Sequence, residues 1–136
     1  MRFMVIVKAT KESETGILPK PEAFAAMQKY NEELVKAGIL LAAEGLAASS
    51  KGARVKFSGD ERTVIDGPFA EAKELIAGYS IWEVSSMDEA VEWAKRSPLR
   101  GVVELRKILD ADDFSDAFAA EITAAEERLR AETAAS

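Results

Sequence analysis

The run Phe3-Met4-Val5-Ile6-Val7 is apolar at every position, with no polar residue alternating in. A strand of this kind needs cover on both faces, unlike a half-solvated strand that alternates apolar and polar. Ile39 to Ala48 is a second such run, broken only by Glu44 and Gly45. The Gly38 stop before it and Gly45 within it favour strand over helix.

Helix signals fall between and after these runs. Thr10 to Lys20 mixes charge with Gly16 and Pro19 and reads as a loop. Pro21 then suits a first helical turn, where its missing N–H costs nothing. The predicted helix covers Pro21 to Ala37, with Phe24, Met27, Tyr30 and Leu34 as its apolar stripe and Gly38 as its C-terminal cap. Arg54–Phe57 and Arg62–Ile65 alternate in polarity around Ser58-Gly59-Asp60-Glu61, which predicts an antiparallel hairpin. Ile76 to Val84 reads as a long strand in which Gly78 marks a bulge or a close approach. Ser86-Met87-Asp88-Glu89 matches a capping box for a helix to about Arg96; Pro98 halts it before a strand from Val102 to Ile108.

Two helices on one face of an antiparallel sheet make a two-layer α+β domain and leave the sheet's other face uncovered. A homodimer packing two sheets face to face would cover it, driven by roughly 25 cal/mol per Å² of apolar area. The expected division is a folded domain over 1–109 and a helical extension over 110–136, with Phe114, Phe118, Ile122, Ala125 and Leu129 on one stripe. That extension can dock on its own domain or wrap a partner subunit, and its composition fits both.

With 136 residues, 48% hydrophobic and 31% charged, the chain is sized for one core. The net charge of −6 opposes phosphate backbones and anionic membranes, so neither nucleic acid nor membrane is an expected partner. The initial apolar run is too short for a signal-peptide core or a membrane span, which makes a cytoplasmic location the expectation. Cysteine and histidine are both absent. That removes thiolate nucleophiles, disulfides, thiolate zinc sites and the usual general base near neutral pH. No metal and no cofactor is expected.

Val64-Ile65-Asp66-Gly67-Pro68-Phe69-Ala70-Glu71-Ala72-Lys73-Glu74, with Ala43-Glu44-Gly45-Leu46 before it and Ser86-Met87-Asp88-Glu89-Ala90-Val91-Glu92-Trp93 after it, carries a family likeness. The chain resembles the YCII-related family, in the branch named for its Asp-Gly-Pro-Phe motif, over about Met1 to Ile108. The resemblance implies a ferredoxin-like βαβ-type fold with an extra hairpin, paired as a dimeric α/β barrel with a pocket in each subunit. The His and Asp pair proposed for some distant relatives does not carry over to a chain without histidine. The branch's frequent placement near extracytoplasmic-function sigma factors implies a regulatory or accessory context.

Glu44 is the only charge between Ala37 and Ala48, so in a buried strand its carboxylate needs a partner such as Arg54 or Lys73, or a shifted pKa. At a strand end, beside a bend at Gly45, it would point outward instead. Asp66, before Gly67-Pro68, is a candidate base or ligand acceptor, and equally a residue that fixes a turn. Lys73 offers a cation to an acidic ligand and Glu71 sits close to it, although such mixtures also make solvated faces. Arg54 and Tyr79 are candidate ligand contacts. Trp82 and Trp93 read as core or interface anchors. Ser49-Ser50-Lys51-Gly52 reads as a flexible polar loop. These residues support two functions: a homodimeric small-molecule pocket protein with acid–base chemistry through Glu44 and Asp66, or a non-catalytic ligand-binding or regulatory module.

Overall fold

The computed structural model describes residues 1–71 and 74–135, so Lys73 lies outside the described residues. Its elements are β1 (Arg2–Lys8), α1 (Lys11–Glu14), α2 (Pro21–Lys36), β2 (Leu40–Gly45), β3 (Ala53–Ser58), β4 (Glu61–Asp66), β5 (Ile76–Glu83), α3 (Met87–Ala94), β6 (Val103–Lys107) and α4 (Asp116–Ala135). The main sheet runs β2-β5-β1-β6 with antiparallel neighbours throughout. With α2 joining β1 to β2 and α3 joining β5 to β6, this is a ferredoxin-like α+β fold. The β3–β4 hairpin is inserted between β2 and β5 as a separate two-stranded sheet.

The core lies between this sheet and α2 and α3. Phe3, Val5 and Trp82 meet Tyr30, Leu34, Ile39, Val84 and Ala90 there. The Tyr30 hydroxyl donates to the Trp93 carbonyl at 2.7 Å and so ties the two helices together. Burial pushes the Tyr30 pKa up to about 12. Alternation along β1 sends Phe3 and Val5 to this face and Met4 and Ile6 to the other, where they are half-buried. Within one chain the two-sided apolar character of β1 is therefore fully used on one side.

Helix α2 ends as its sequence predicts: Gly38 takes φ 75°, and Ile39 N–H donates to the Leu34 carbonyl at 2.9 Å. The apolar stripe engages the sheet only from Met27 onward, and Phe24 is 57% exposed. Periodicity fixes a helix's inward side without fixing how far the opposing layer extends. In α3, Glu89 N–H donates to Ser86 Oγ at 3.1 Å, while the Glu89 carboxylate reaches one residue further back, to the Ser85 N–H and hydroxyl.

The segment expected as an unbroken loop after Thr10 contains the one-turn helix α1. Reciprocal bonds make it: Ser13 N–H donates to Thr10 Oγ1 at 3.1 Å and Thr10 N–H to Ser13 Oγ at 2.8 Å. At the other end, the tail helix α4 begins later than the apolar pattern suggests, after a 3-10 turn at Ala111–Asp113. The Asp113 carboxylate holds this turn, accepting from Asp110 N–H at 2.9 Å and from Lys107 Nζ at 2.5 Å. The Phe114 and Phe118 rings meet edge-on at 5.9 Å.

Candidate functional site

Strand pairing places the candidate residues. Directly opposed residues in an antiparallel pair carry side chains on the same face. Glu44 opposes Tyr79, Tyr79 opposes Ile6, and Ile6 opposes Glu104. One row, Glu44-Tyr79-Ile6-Glu104, therefore crosses the sheet on the face away from the helices. The next row on that face is Ala42-Ile81-Met4-Arg106. The result is an apolar centre of Ile6, Met4 and Ile81 with Tyr79 in it and carboxylates at both ends.

Glu44 is exposed in the single chain, so β2 is not the two-sided buried strand its composition suggests. The physical reason is its place at the sheet edge, with β5 as its one neighbour. Among the described residues Glu44 has no ion pair. Its backbone is closely set: a Cβ on Gly78 would stand 2.8 Å from the Glu44 carbonyl oxygen. Gly78 thus lets β5 approach β2 at the position that presents Glu44, and a register shift at Val7/Lys8 sits on its other side.

Glu104, which the sequence did not single out, is bound by two cations, Arg106 at 3.2 Å and Lys8 at 3.5 Å. The hydrogen bond from Arg106, then the Lys8 charge, hold its carboxyl below the usual value of 4.5. With strands about 4.8 Å apart, Glu44 and Glu104 stand roughly 14 Å from each other, too far to share a proton.

Asp66 belongs to the hairpin, where it ends β4 opposite Ala53 and is exposed. No hydrogen bond or ion pair among the described residues joins it to Glu44. The turn immediately after Asp66 is tightly fixed. Gly67 N–H donates to the Gly52 carbonyl at 2.9 Å, and the Gly67-Pro68 peptide is cis. Arg54, on β3, lays its guanidinium 3.8 Å over the Phe69 ring. Glu71 is exposed, and its carbonyl accepts from Glu74 N–H at 2.9 Å.

Sequence reasoning missed the centre of this loop, which is Ser49. The stretch read as flexible forms a 3-10 turn over Ser49–Lys51. Ser49 N–H donates to Glu14 Oε1 at 3.1 Å, its hydroxyl donates to Glu14 Oε2, and its Oγ accepts from Phe69 N–H at 3.1 Å. Ser49 thereby joins α1 to the Asp-Gly-Pro-Phe turn. A signal for this existed in Gly67, where only a residue without Cβ tolerates a backbone pressed against it.

Tyr79 and Glu44 are thus brought together on one face, whereas Arg54, opposite Ile65, and Asp66, opposite Ala53, fall on different faces of the hairpin. Groups of three or more His, Cys, Asp or Glu residues able to hold a metal ion do not occur among the described residues. No described helix is long and apolar enough to cross a membrane.

Known proteins share parts of this sequence and shape. An uncharacterized protein from Rhizobium meliloti (strain 1021) is 34% identical over 104 residues, covering 71% of this chain and 84% of that protein. Among solved structures, the 5-chloro-2-hydroxyhydroquinone dehydrochlorinase of Burkholderia phenoliruptrix AC1100, in complex with 2,5-dihydroxybenzoquinone, aligns at a TM-score of 0.47 and 15% identity, over 85% of this chain and 100% of that one. The YCII-related domain model matches residues 1–112, and the chain belongs to the YCII-related family.

Proposed function

We propose that the protein is a cytoplasmic, homodimeric small-molecule pocket protein whose ligand site lies on the open face of the four-stranded sheet. The observation that carries this reading is the opposition of Glu44 and Tyr79 on a face whose centre is Ile6, Met4 and Ile81. An apolar floor with a few polar groups at its margin is the usual make-up of a small-molecule site. A second copy laid on this face would shield the floor from water and turn an open sheet into a chamber. In such a chamber Glu44 is the acid–base group and the Tyr79 hydroxyl a hydrogen-bond donor to a small carbonyl or aromatic compound. The segment 110–136 acts as an extension outside this domain.

A second reading, ligand binding without catalysis, draws on the placement of Asp66. Glu44 lies on the main sheet and Asp66 on the hairpin, and no hydrogen bond among the described residues joins the two carboxylates. In this reading Arg54, stacked on Phe69, serves as a cation for an acidic ligand.

The test is a thermal-shift screen of small phenols, cyclic ketones and aromatic carboxylic acids against the wild type, Glu44→Gln, Tyr79→Phe and Asp66→Asn. A ligand at about 100 times its dissociation constant stabilises by about 2.7 kcal/mol. The open-face site requires that a stabilising compound lose its effect in Glu44→Gln or Tyr79→Phe. A compound that stabilises all variants equally refutes that placement, and one lost only in Asp66→Asn moves the site to the hairpin.

A further inference from the structure

On the opposite face of the sheet, a cavity of about 30 Å³ lies between the strands and the two helices. Its wall is mostly core: Val5, Leu34 and Trp82, with Met27 and Leu99 toward the outside. Five wall residues carry polar side-chain groups; the Tyr30 hydroxyl is bonded to the Trp93 carbonyl and Ser97 Oγ accepts from Leu99 N–H, which leaves three without a partner among the described residues. Trp82 is 2% exposed, and its Nε1 donor is buried with no hydrogen-bond partner among the described residues. Ser80 stands two residues away on the same face of β5, and Asn31 projects from α2; both line the cavity. Neither side chain makes a hydrogen bond among the described residues.

A buried donor without a partner is costly, and natural folds satisfy nearly all such groups with protein or ordered water. A cavity needs roughly 10–15 Å³ to hold one water, and a buried water makes about three hydrogen bonds. The cavity is large enough by that measure and far too small for an organic ligand, and its three unpaired polar side chains match that valence. We infer that this cavity is a built hydration site holding an ordered water, which accepts from Trp82 Nε1–H and donates to the Ser80 hydroxyl and the Asn31 side-chain oxygen. The water links β5 to α2 inside the core. It explains why a serine occupies a sheet position whose neighbours across β1 and β6 are Val5 and Leu105.

The experiment is water-selective NMR on the ¹⁵N-labelled full chain, read at the assigned indole proton of Trp82. The site predicts water–indole NOE and ROE peaks of opposite sign, the signature of a bound water as distinct from proton exchange. In Ser80→Ala, which removes one anchor with little change in shape, both peaks weaken at least severalfold. Trp93→Phe leaves them in place and serves as a control on the indole assignment. Absence of the water peaks in the wild type overturns the inference, as does xenon shifting the Val5 and Leu34 methyl signals, which would mark a dry apolar cavity. Undiminished peaks in Ser80→Ala overturn the assignment of Ser80 as an anchor.

Discussion

Gly67 lies directly against the backbone of Ser49: a Cβ at Gly67 would sit 1.7 Å from the Ser49 carbonyl oxygen and 2.6 Å from its carbonyl carbon. These are backbone atoms in a 3-10 turn, held on the other side by Glu14, and they have no rotamer to escape into. Gly67→Ala must therefore displace the turn that comes after Asp66. Overpacking of this kind costs about 1–3 kcal/mol and occasionally more. The expected outcome is a lowered urea midpoint at unchanged slope, together with altered amide shifts at Gly52 and Phe69.

Glu14 and Ser49 form the bond that holds this turn to α1. Hydrogen bonds to a charged group contribute about 1.5–3 kcal/mol. Glu14→Gln and Ser49→Ala are each expected to destabilise, and their double variant to lose less than the sum. A coupling of at least about 0.5 kcal/mol in the denaturant cycle supports a shared interaction; strict additivity contradicts it.

Tyr30 sets an alkaline limit. Its folded pKa is raised from 10.0 to about 12 by burial, so between those values the folded state holds a proton that the unfolded chain releases. Its contribution is complete below pH 10 and falls as pH rises toward 12. Tyr30→Phe loses the bond to the Trp93 carbonyl, at a cost of about 0.5–1.5 kcal/mol or somewhat more if that carbonyl stays dry. The same variant is expected to show a flatter stability curve over that alkaline range, measured by urea unfolding at successive pH values.

At acid pH the sign reverses. Glu89, Glu104 and Asp113 all have depressed pKa values, through the Ser85 hydroxyl, the Arg106 guanidinium and the Lys107 ammonium respectively. Their contributions are present above the ordinary values of 4.5 for glutamate and 3.8 for aspartate and disappear as pH falls through the lower folded values. Stability is expected to drop below about pH 4, and Asp113→Asn to show a shallower drop than the wild type. Because none of these groups is fully buried, added salt should reduce the effect.

Much of the fold was legible because the signals were local. Pro21, Gly38, Ser86 and Gly59 mark ends and turns by their own chemistry, and the structure places helix starts and the hairpin accordingly. The site was legible only in part. That Glu44 and Tyr79 share a row depends on which strands pair and in what register, and no spacing in the sequence encodes that. Whether Glu44 is buried or points outward stayed open in the sequence, because composition along a run cannot reveal that the strand is at a sheet edge. Glu14 and Ser49 went unnoticed because they are 35 residues apart and each is ordinary by itself. The Asp-Gly-Pro-Phe motif did announce a shaped turn, while the residue that turn is built against had no motif of its own.

The central claim is that the open face carrying Glu44, Tyr79, Ile6 and Ile81 is closed by a second copy of the chain. Light scattering coupled to size exclusion, at micromolar concentration, tests it most directly when wild type and Ile81→Lys are compared. The account predicts twice the chain mass for the wild type and a folded species of single chain mass for Ile81→Lys. A wild type of single chain mass, or an Ile81→Lys variant that stays dimeric, would contradict it.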